Sequence, residues 1–562
     1  MNINSTTNKN YTNFYQVKTK HKGLLSWLLT TDHKRIGIMY LVSILSFFLV
    51  GLTFAFLMRL EMLTPGPTIV DAQTYNSFFT LHGMIMVFLF IIPGIPAVFG
   101  NFFLPLQIGA EDVAFPRLNL MSYHLYLVGA FLALYSLIFQ THIDTGWTFY
   151  VPYSLRTGTD VTLTLLAAFV LGFSSILTGL NFVTTCHRMR VKGMKMFEMP
   201  LFTWALYSTA WIQVVATPII GITIVLVLLE RTFKFGIFDP TLGGDPVLYQ
   251  HLFWIYSHPA VYIMAIPAFG VISDVVATFS RKSVFGYKVM AYSTLAIAVI
   301  GYMVWAHHMF TSGMSDTART VFSFLTFFVA IPTGVKVFNW VATLWRGTIV
   351  LSSPMLMALS AIFLFSIGGL TGLHLGAIST DIHLHDTYFV IAHFHYVIIG
   401  GILSMFIAGM HYWFPKMFGK MHNEKVAKTG VVMYFIGANV LYFPMFIMGY
   451  MGMPRRYFDY LPEYQIYHVV STVGSWILIS AILLMFINLL IGIFKGKPVG
   501  NNPWGAKTLE WTMPSPPPLL NFIETPVPSH DPYDYHGHDE RNFKDVQYIE
   551  NKENDIINQE NS

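Results

Sequence analysis

Four short stretches of this chain carry histidine where a metal is the natural partner. Ala392-His393-Phe394-His395 sets two histidines two residues apart. Two residues of an α-helix turn through about 200°, so these imidazoles leave opposite sides of one helix. They cannot share an ion, but each can ligate its own group, and the spacing suits two haems held edge to edge by a single helix. Trp305-Ala306-His307-His308-Met309 places two histidines side by side. Adjacent helical residues diverge by about 100°; the pair either simply ends a helix or shares one ion on a locally distorted backbone. In Trp254-Ile255-Tyr256-Ser257-His258-Pro259-Ala260-Val261-Tyr262, His258 and Tyr262 stand four apart on one face. An imidazole and a phenol in contact beside a redox metal can exchange an electron and a proton. His258 with His307 and His308 makes a three-imidazole site that suits copper. Leu81-His82-Gly83 offers a further histidine that can face His395 across a haem, completing a six-coordinate electron-transfer centre, and its glycine leaves room for a flat macrocycle.

The elements that position these residues must be membrane helices. The 562 residues are 54% hydrophobic and only 11% charged, against about 25% charged in soluble domains. A net charge of +4 gives no bulk electrostatic support to a nucleic-acid partner. A bilayer span needs about 20 apolar residues, and roughly twelve such runs lie near 37–58, 80–103, 121–140, 161–184, 202–228, 249–277, 286–310, 319–343, 354–374, 387–411, 430–451 and 468–494. The expected fold is therefore an all-α polytopic bundle. A polar N-terminal segment, 1–36, precedes the helical domain, 37–494, and a polar Pro-rich tail, 495–562, follows it. The N-terminus reads as lacking a cleavable signal peptide. An even number of spans puts both termini on one side. Lys18, Lys20, Lys22, Lys34 and Arg35, then Arg188, Arg190, Lys192 and Lys195, then Lys416, Lys420, Lys425 and Lys428 all fall there, which makes it cytoplasmic. Arg455 and Arg456 break that rule at the outer end of a span and invite a search for an anion. The tail after about Pro503 reads as weakly ordered, with His536 and His538 in a solvated stretch. The one cysteine, Cys186, reads as a small membrane-boundary residue and excludes a disulfide, a two-cysteine copper centre or a c-type haem attachment in this chain.

Taken together these elements resemble the haem–copper oxidase superfamily, in particular subunit I of cytochrome c oxidases. The resemblance runs from Asp32-His33-Lys34 to Trp504-Gly505. It is carried by Gly244-Asp245-Pro246-Val247-Leu248-Tyr249-Gln250-His251-Leu252-Phe253-Trp254, His307-His308-Met309-Phe310, Pro332-Thr333-Gly334-Val335-Lys336, His385-Asp386-Thr387-Tyr388, His393-Phe394-His395 and Met453-Pro454-Arg455-Arg456. It implies four-electron reduction of dioxygen to water coupled to proton translocation, in a bacterial cytoplasmic membrane. It makes His82 and His395 the axial ligands of a low-spin haem and His393 the ligand of a high-spin haem. His258, His307 and His308 hold copper B, and Tyr262 is covalently linked to His258. Arg455 and Arg456 hold haem propionates by charge-assisted pairing. His385 and Asp386 help bind magnesium, and Arg59 resembles the arginine that contacts the formyl group of a low-spin haem A.

Protons must arrive from the inner side. Lys336, Thr333, Ser273 and Tyr262 resemble the family's lysine channel; Lys336 and Thr333 are neighbours on one helix. Asp112, in Ile108-Gly109-Ala110-Glu111-Asp112-Val113-Ala114-Phe115-Pro116-Arg117, with Asn101, Asn119, Asn181, Ser174 and Ser175, resembles the aspartate channel. That channel ordinarily ends in a glutamate two residues after the first copper histidine, where this chain has Ala260. Tyr256 and Ser257 resemble a variant branch that uses this pair instead. Electrons must come from a partner, expected to be a subunit II with copper A fed by cytochrome c or another c-type haem, alongside a subunit III. A quinol oxidase is the close alternative, but its quinone-binding polar residues are replaced here by Val50, Phe54, Thr74 and Ser77, with Gln73 nearby. A nitric-oxide reductase shares the six histidines but lacks the Tyr262 and Lys336 pattern. A cofactor-free transporter would be colourless and leaves the His393/His395 spacing unexplained.

Overall fold

The computed structural model describes residues 12–17, 20–139, 143–522, 526 and 531–535. His536 and His538 lie outside the described residues. Among the described residues, twelve helices are long and apolar enough to cross a membrane. They are α1 (His33–Glu61), α2 (Ala72–Ile108), α3 (Pro116–Ile138), α4 (Val161–Arg188), α5 (Leu201–Phe233), α6 (Pro246–Ser280), α7 (Tyr287–Met309), α8 (Asp316–Leu344), α9 (Ser353–Gly376), α10 (Tyr388–Phe418), α11 (Glu424–Tyr450) and α12 (Pro462–Lys495). Several overrun the apolar stretches that announce them, α2 most of all. An apolar run marks only the part of a helix inside the hydrocarbon, while the backbone hydrogen bonds continue into the headgroup layer. Polar residues stop the helices where the chain meets water. The side chains of Asp32, Asp71, Asp160, Asp245, Ser315 and Asn423 each accept from a backbone N–H of the first turn.

Packing between helices in lipid rests on close van der Waals fit, because tails and apolar side chains are equally oily. Between α11 and α12 the fit is backbone to backbone: a Cβ on Gly437 would stand 2.6 Å from the amide nitrogen of Leu478, and one on Gly474 2.4 Å from that of Leu441. Large apolar side chains such as Phe131, Phe338 and Leu370 point outward as a lipid-facing belt.

Helical geometry breaks in three helices, with consequences at the site. Within α2, Ile85–Ile91 and Gly94–Gly100 are π-helical, and so is Tyr396–Leu403 within α10. The last turns of α7, Gly301–Met303 and Trp305–Met309, tighten to 3₁₀. Such irregular turns are characteristic of functional positions in membrane and soluble helices alike.

The basic segments gather on one face, as their sequence distribution predicts. Lys34 Nζ donates to the Leu519 carbonyl at 2.9 Å and to Asn521 at 2.8 Å, and Asn521 donates to the Ala110 carbonyl at 3.0 Å. Val191 N donates to the Ile108 carbonyl at 2.9 Å, and a two-residue antiparallel pairing joins Lys420–Met421 to Lys497–Pro498. The expectation of weak order after Pro503 fails for residues 504–522. Trp504 donates to the Tyr412 carbonyl at 2.7 Å, Trp511 to the Tyr412 hydroxyl at 3.1 Å, and Glu510 is fully buried beneath Trp413 and Gln107. Average polarity misleads here because a few large anchors, Trp504, Leu509, Trp511 and Met513, hold the segment to the bundle.

Candidate haem and copper site

Three imidazoles meet between α6 and the end of α7. The ligand atoms of His258, His307 and His308 all lie within 4.8 Å of one another. The 3₁₀ turns of α7 allow this, because they supply the distortion that lets adjacent histidines aim at one point. His258 Nδ1 stands 3.1 Å from His308 Nε2, while its Nε2 stands 3.1 Å from the Tyr262 hydroxyl. One nitrogen of His258 thus faces the cluster and the other faces the phenol, as the four-residue spacing predicts. His307 Nδ1 is held at 3.1 Å by Thr326 Oγ1 of α8. His308 is stacked on Trp254, ring centres 3.7 Å apart and 7° from parallel, and Trp254 is fixed in turn by a 2.6 Å bond to the Tyr150 hydroxyl. Gly301 leaves the space Tyr262 occupies: a Cβ there would stand 2.6 Å from the phenol ring.

The other three histidines share a single pattern. His393 Nδ1 lies 2.9 Å from the Gly368 carbonyl, His395 Nδ1 2.8 Å from the Ile391 carbonyl and His82 Nδ1 2.9 Å from the Gly51 carbonyl. A carbonyl only accepts, so each Nδ1 carries the proton and each Nε2 keeps its lone pair. That is how proteins present imidazole to a metal. His393 turns to α9, whose Gly372 would put a Cβ 2.8 Å from its ring, whereas His395 stacks on Tyr442 of α11. The two leave the helix toward different neighbours, as their spacing requires. The π-helical turns begin one residue after His395 and three after His82. A Cβ on Gly83 would meet Trp147 at 3.1 Å, so that glycine makes room for an indole.

On the face opposite the basic segments, Arg455 Nε donates to Asp386 at 2.6 Å and a second guanidinium nitrogen pairs with the same oxygen. Burial pushes the Asp386 carboxyl up, but Arg455, with His385 and Arg456, holds it below the usual carboxylate range. His385 Nδ1 bonds Asp381 at 3.0 Å. Burial and the Arg455 charge lower Arg456 to about 10. Arg59 is held by His468 Nδ1 at 3.2 Å, the His468 carbonyl at 3.0 Å and Thr472 at 3.1 Å, leaving a buried Nε without a partner among the described residues.

The polar groups of the two expected proton routes are only partly linked by direct bonds. Lys336, 3% exposed, turns to α7, donating to Thr294 at 2.5 Å and to the Met290 carbonyl at 3.1 Å; Thr333 and Ser273 each bond back to their own helix. Ser273 also accepts from Trp340 at 3.0 Å. On the other route, Asn101 Oδ1, both amide atoms of Asn119, and the hydroxyls of Ser175 and Ser257 are buried with no partner among the described residues. Buried polar groups are nearly always paired, so these atoms fit a file of water. A small cavity lined by Tyr40, Ser174, Ser175, Thr178 and Gln213 lies among them. Asp112, in the loop before α3, is pushed up to about 7 by burial, helped by the charge of Asp32. Tyr256 is buried at α6. Trp254, Thr326 and Thr294 were not singled out from sequence as site residues. Tryptophan and threonine in apolar helices carry no spacing signal of their own.

Three imidazoles gathered within 4.8 Å and three more with a ring nitrogen held at a carbonyl, on a bundle of membrane-length helices, fit a haem- and copper-dependent membrane oxidoreductase. The chain belongs to the cytochrome c and quinol oxidase polypeptide I family, whose family model matches residues 35–477. It is 46% identical over 505 residues to cytochrome c oxidase subunit 1 of Synechocystis sp., covering 90% of this chain and 91% of that one. It is 41% identical to the subunit 1 of Bacillus subtilis over 513 residues (91% and 82%) and to that of Cereibacter sphaeroides over 536 residues (89% and 95%). A haem–copper terminal oxidase dimer solved by cryo-electron microscopy shares the fold, with a TM-score of 0.70 at 20% identity over 83% of this chain and 85% of the other. The chain is the catalytic subunit of a terminal oxidase, integral to a bacterial plasma membrane, using haem, copper and dioxygen in company with partner subunits.

Thr326→Val removes the hydroxyl that orients His307 while keeping the shape. Loss of such an outer partner weakens metal affinity by roughly 10- to 100-fold. Copper determination on the purified complex after mild chelation should therefore find less copper in the variant, with haem absorption retained. Equal copper would show that the histidines orient themselves.

Proposed function

We propose that dioxygen is reduced to water in the space between His393 and the His258, His307, His308 cluster, and that His82 and His395 hold the low-spin haem that feeds it electrons. The observation that carries this reading is the orientation of the six rings. Every outer nitrogen of the haem histidines is tied to a carbonyl, and the remaining three rings converge within 4.8 Å. When bound, two haems and copper B supply the electrons and the Lewis acidity that O–O cleavage needs. Tyr262 holds a proton at its hydroxyl 3.1 Å from His258 Nε2 and can release it with an electron; the resemblance to the family adds a covalent link between these two side chains.

Arg455 and Arg456 suit the haem propionates, whose charge accounts for two arginines on the outer face. The unpartnered Nε of Arg59 suits a formyl oxygen, which favours haem A. His385 with Asp386 suits magnesium, an oxygen-preferring ion that tolerates an imidazole among waters. Asp112, its carboxyl near neutrality, takes protons at the inner face. The unpartnered amides and hydroxyls above it carry them by way of water to Ser257 and Tyr256, which stand in for the glutamate missing at Ala260. Lys336, with Thr333, Ser273 and Thr294, serves the second route toward Tyr262. The single cysteine, Cys186, is buried, so electrons come from a partner, a subunit II bearing copper A that is reduced by cytochrome c, with a subunit III alongside. Phe54 packs on Phe78, Ser77 bonds its own helix and Gln73 is occupied by Asp144. These contacts support a donor other than a quinol.

Oxygen uptake by the purified complex should run with reduced cytochrome c and not with a reduced quinol as sole donor; uptake with quinol alone contradicts the donor assignment. In vesicles, Tyr256→Phe should lower turnover and proton ejection about 10²- to 10⁴-fold, the usual weight of one proton-transfer group. Unchanged ejection excludes Tyr256 from the route.

A further inference from the structure

Two more histidines meet at the basic face, well away from the oxygen site. His411 lies on α10, sixteen residues beyond His395, or about 24 Å along the helix. His422 sits in the turn between Met421 and the start of α11. They are 1% and 4% exposed. Each has one ring nitrogen committed. His411 Nδ1 lies 2.8 Å from the Ile407 carbonyl, so it carries the proton. His422 Nε2 lies 3.1 Å from Glu424 Oε2 and donates to that carboxylate, with the Ser353 hydroxyl at 3.2 Å. The other two nitrogens, His411 Nε2 and His422 Nδ1, are bare lone pairs, buried and without a partner among the described residues. Their ring centres stand 4.8 Å apart at 87°, inside the 4.4–5.3 Å range of the ring pairs in the His258, His307, His308 cluster.

One nitrogen on a backbone carbonyl and one on a carboxylate, with the second nitrogen of each neighbouring ring bare, is the arrangement that orients metal-ligating imidazoles. We propose that His411 and His422 bind a first-row divalent ion of the zinc class, tying the start of α9, the end of α10 and the start of α11 together at the inner face. Two imidazoles make half of a tetrahedral set, and water completes it. Both oxygens of Glu424 are used, by Ser353 and by His422. Glu424 therefore contributes charge through the ring of His422 and is no ligand itself. Lys428, 3.9 Å from Glu424, offsets part of that charge. Glu424 is about a third exposed, so the site is reached from the aqueous side.

The test uses the whole purified complex, stripped with a chelator, titrated with zinc chloride and desalted. Zinc is redox-silent and colourless, so the haem spectrum still reports assembly of every variant. Wild type should retain one zinc per complex more than either His411→Phe or His422→Phe, and only wild type should show the corresponding rise in Tm. Zinc-edge X-ray absorption should show imidazole nitrogens at about 2.0–2.1 Å. Glu424→Gln, whose amide nitrogen cannot accept from His422 and Ser353 as the carboxylate does, should weaken zinc about 10- to 100-fold. Equal zinc content and equal Tm shift in wild type and both phenylalanine variants overturn the proposal; a water molecule between the two nitrogens would give that result.

Discussion

An imidazole has two nitrogens, and inside a bilayer each must be accounted for. Little solvent is present to take up an unused donor or acceptor, and an unpaired buried polar group is costly. Much of this structure follows from how that constraint is met. Gly51, Ile391 and Gly368 each offer a main-chain carbonyl to a histidine Nδ1, which fixes the tautomer and leaves Nε2 as the only free lone pair. The helices that supply those carbonyls, α1, α10 itself and α9, must then lie where the rings need them.

The same constraint accounts for the departures from regular helix. A straight α-helix cannot turn adjacent side chains to one point, and α7 meets the difficulty by closing into 3₁₀ turns across His307 and His308. The π-helical turns that follow His82 and His395 come at similar cost in backbone regularity. Around these sites, aromatic packing does the rest. Trp254 lies flat on His308 and Tyr442 on His395, while Gly301 and Gly372 clear the space that Tyr262 and His393 fill.

Much of this was legible in the sequence, for physical reasons. Apolar runs long enough to span hydrocarbon have no other use, so the count of helices and the all-α class could be read directly. The opposite facing of His393 and His395 follows from helical rotation alone. Other features had no local signal. The convergence of His307 and His308 depended on a distortion that spacing could only allow. The hydroxyl of Thr326, the indole of Trp254 and the link from Lys336 to Thr294 are contacts between helices distant in sequence, which periodicity does not encode. The contact of Gly83 with Trp147 is likewise distant in sequence. Composition also misjudged residues 504–522, since a polar average hides the few aromatic anchors that fasten them.

The central claim is that one helix, α10, serves two different centres from its two sides. Optical spectra of the purified complex with and without carbon monoxide, compared between His393→Ala and His395→Ala, test it most directly. The account predicts that His393→Ala abolishes the carbon monoxide response while low-spin haem absorption persists. It predicts that His395→Ala removes the low-spin absorption while the carbon monoxide response persists. Loss of the same signal in both variants would mean that the two histidines serve one centre, and would contradict the account.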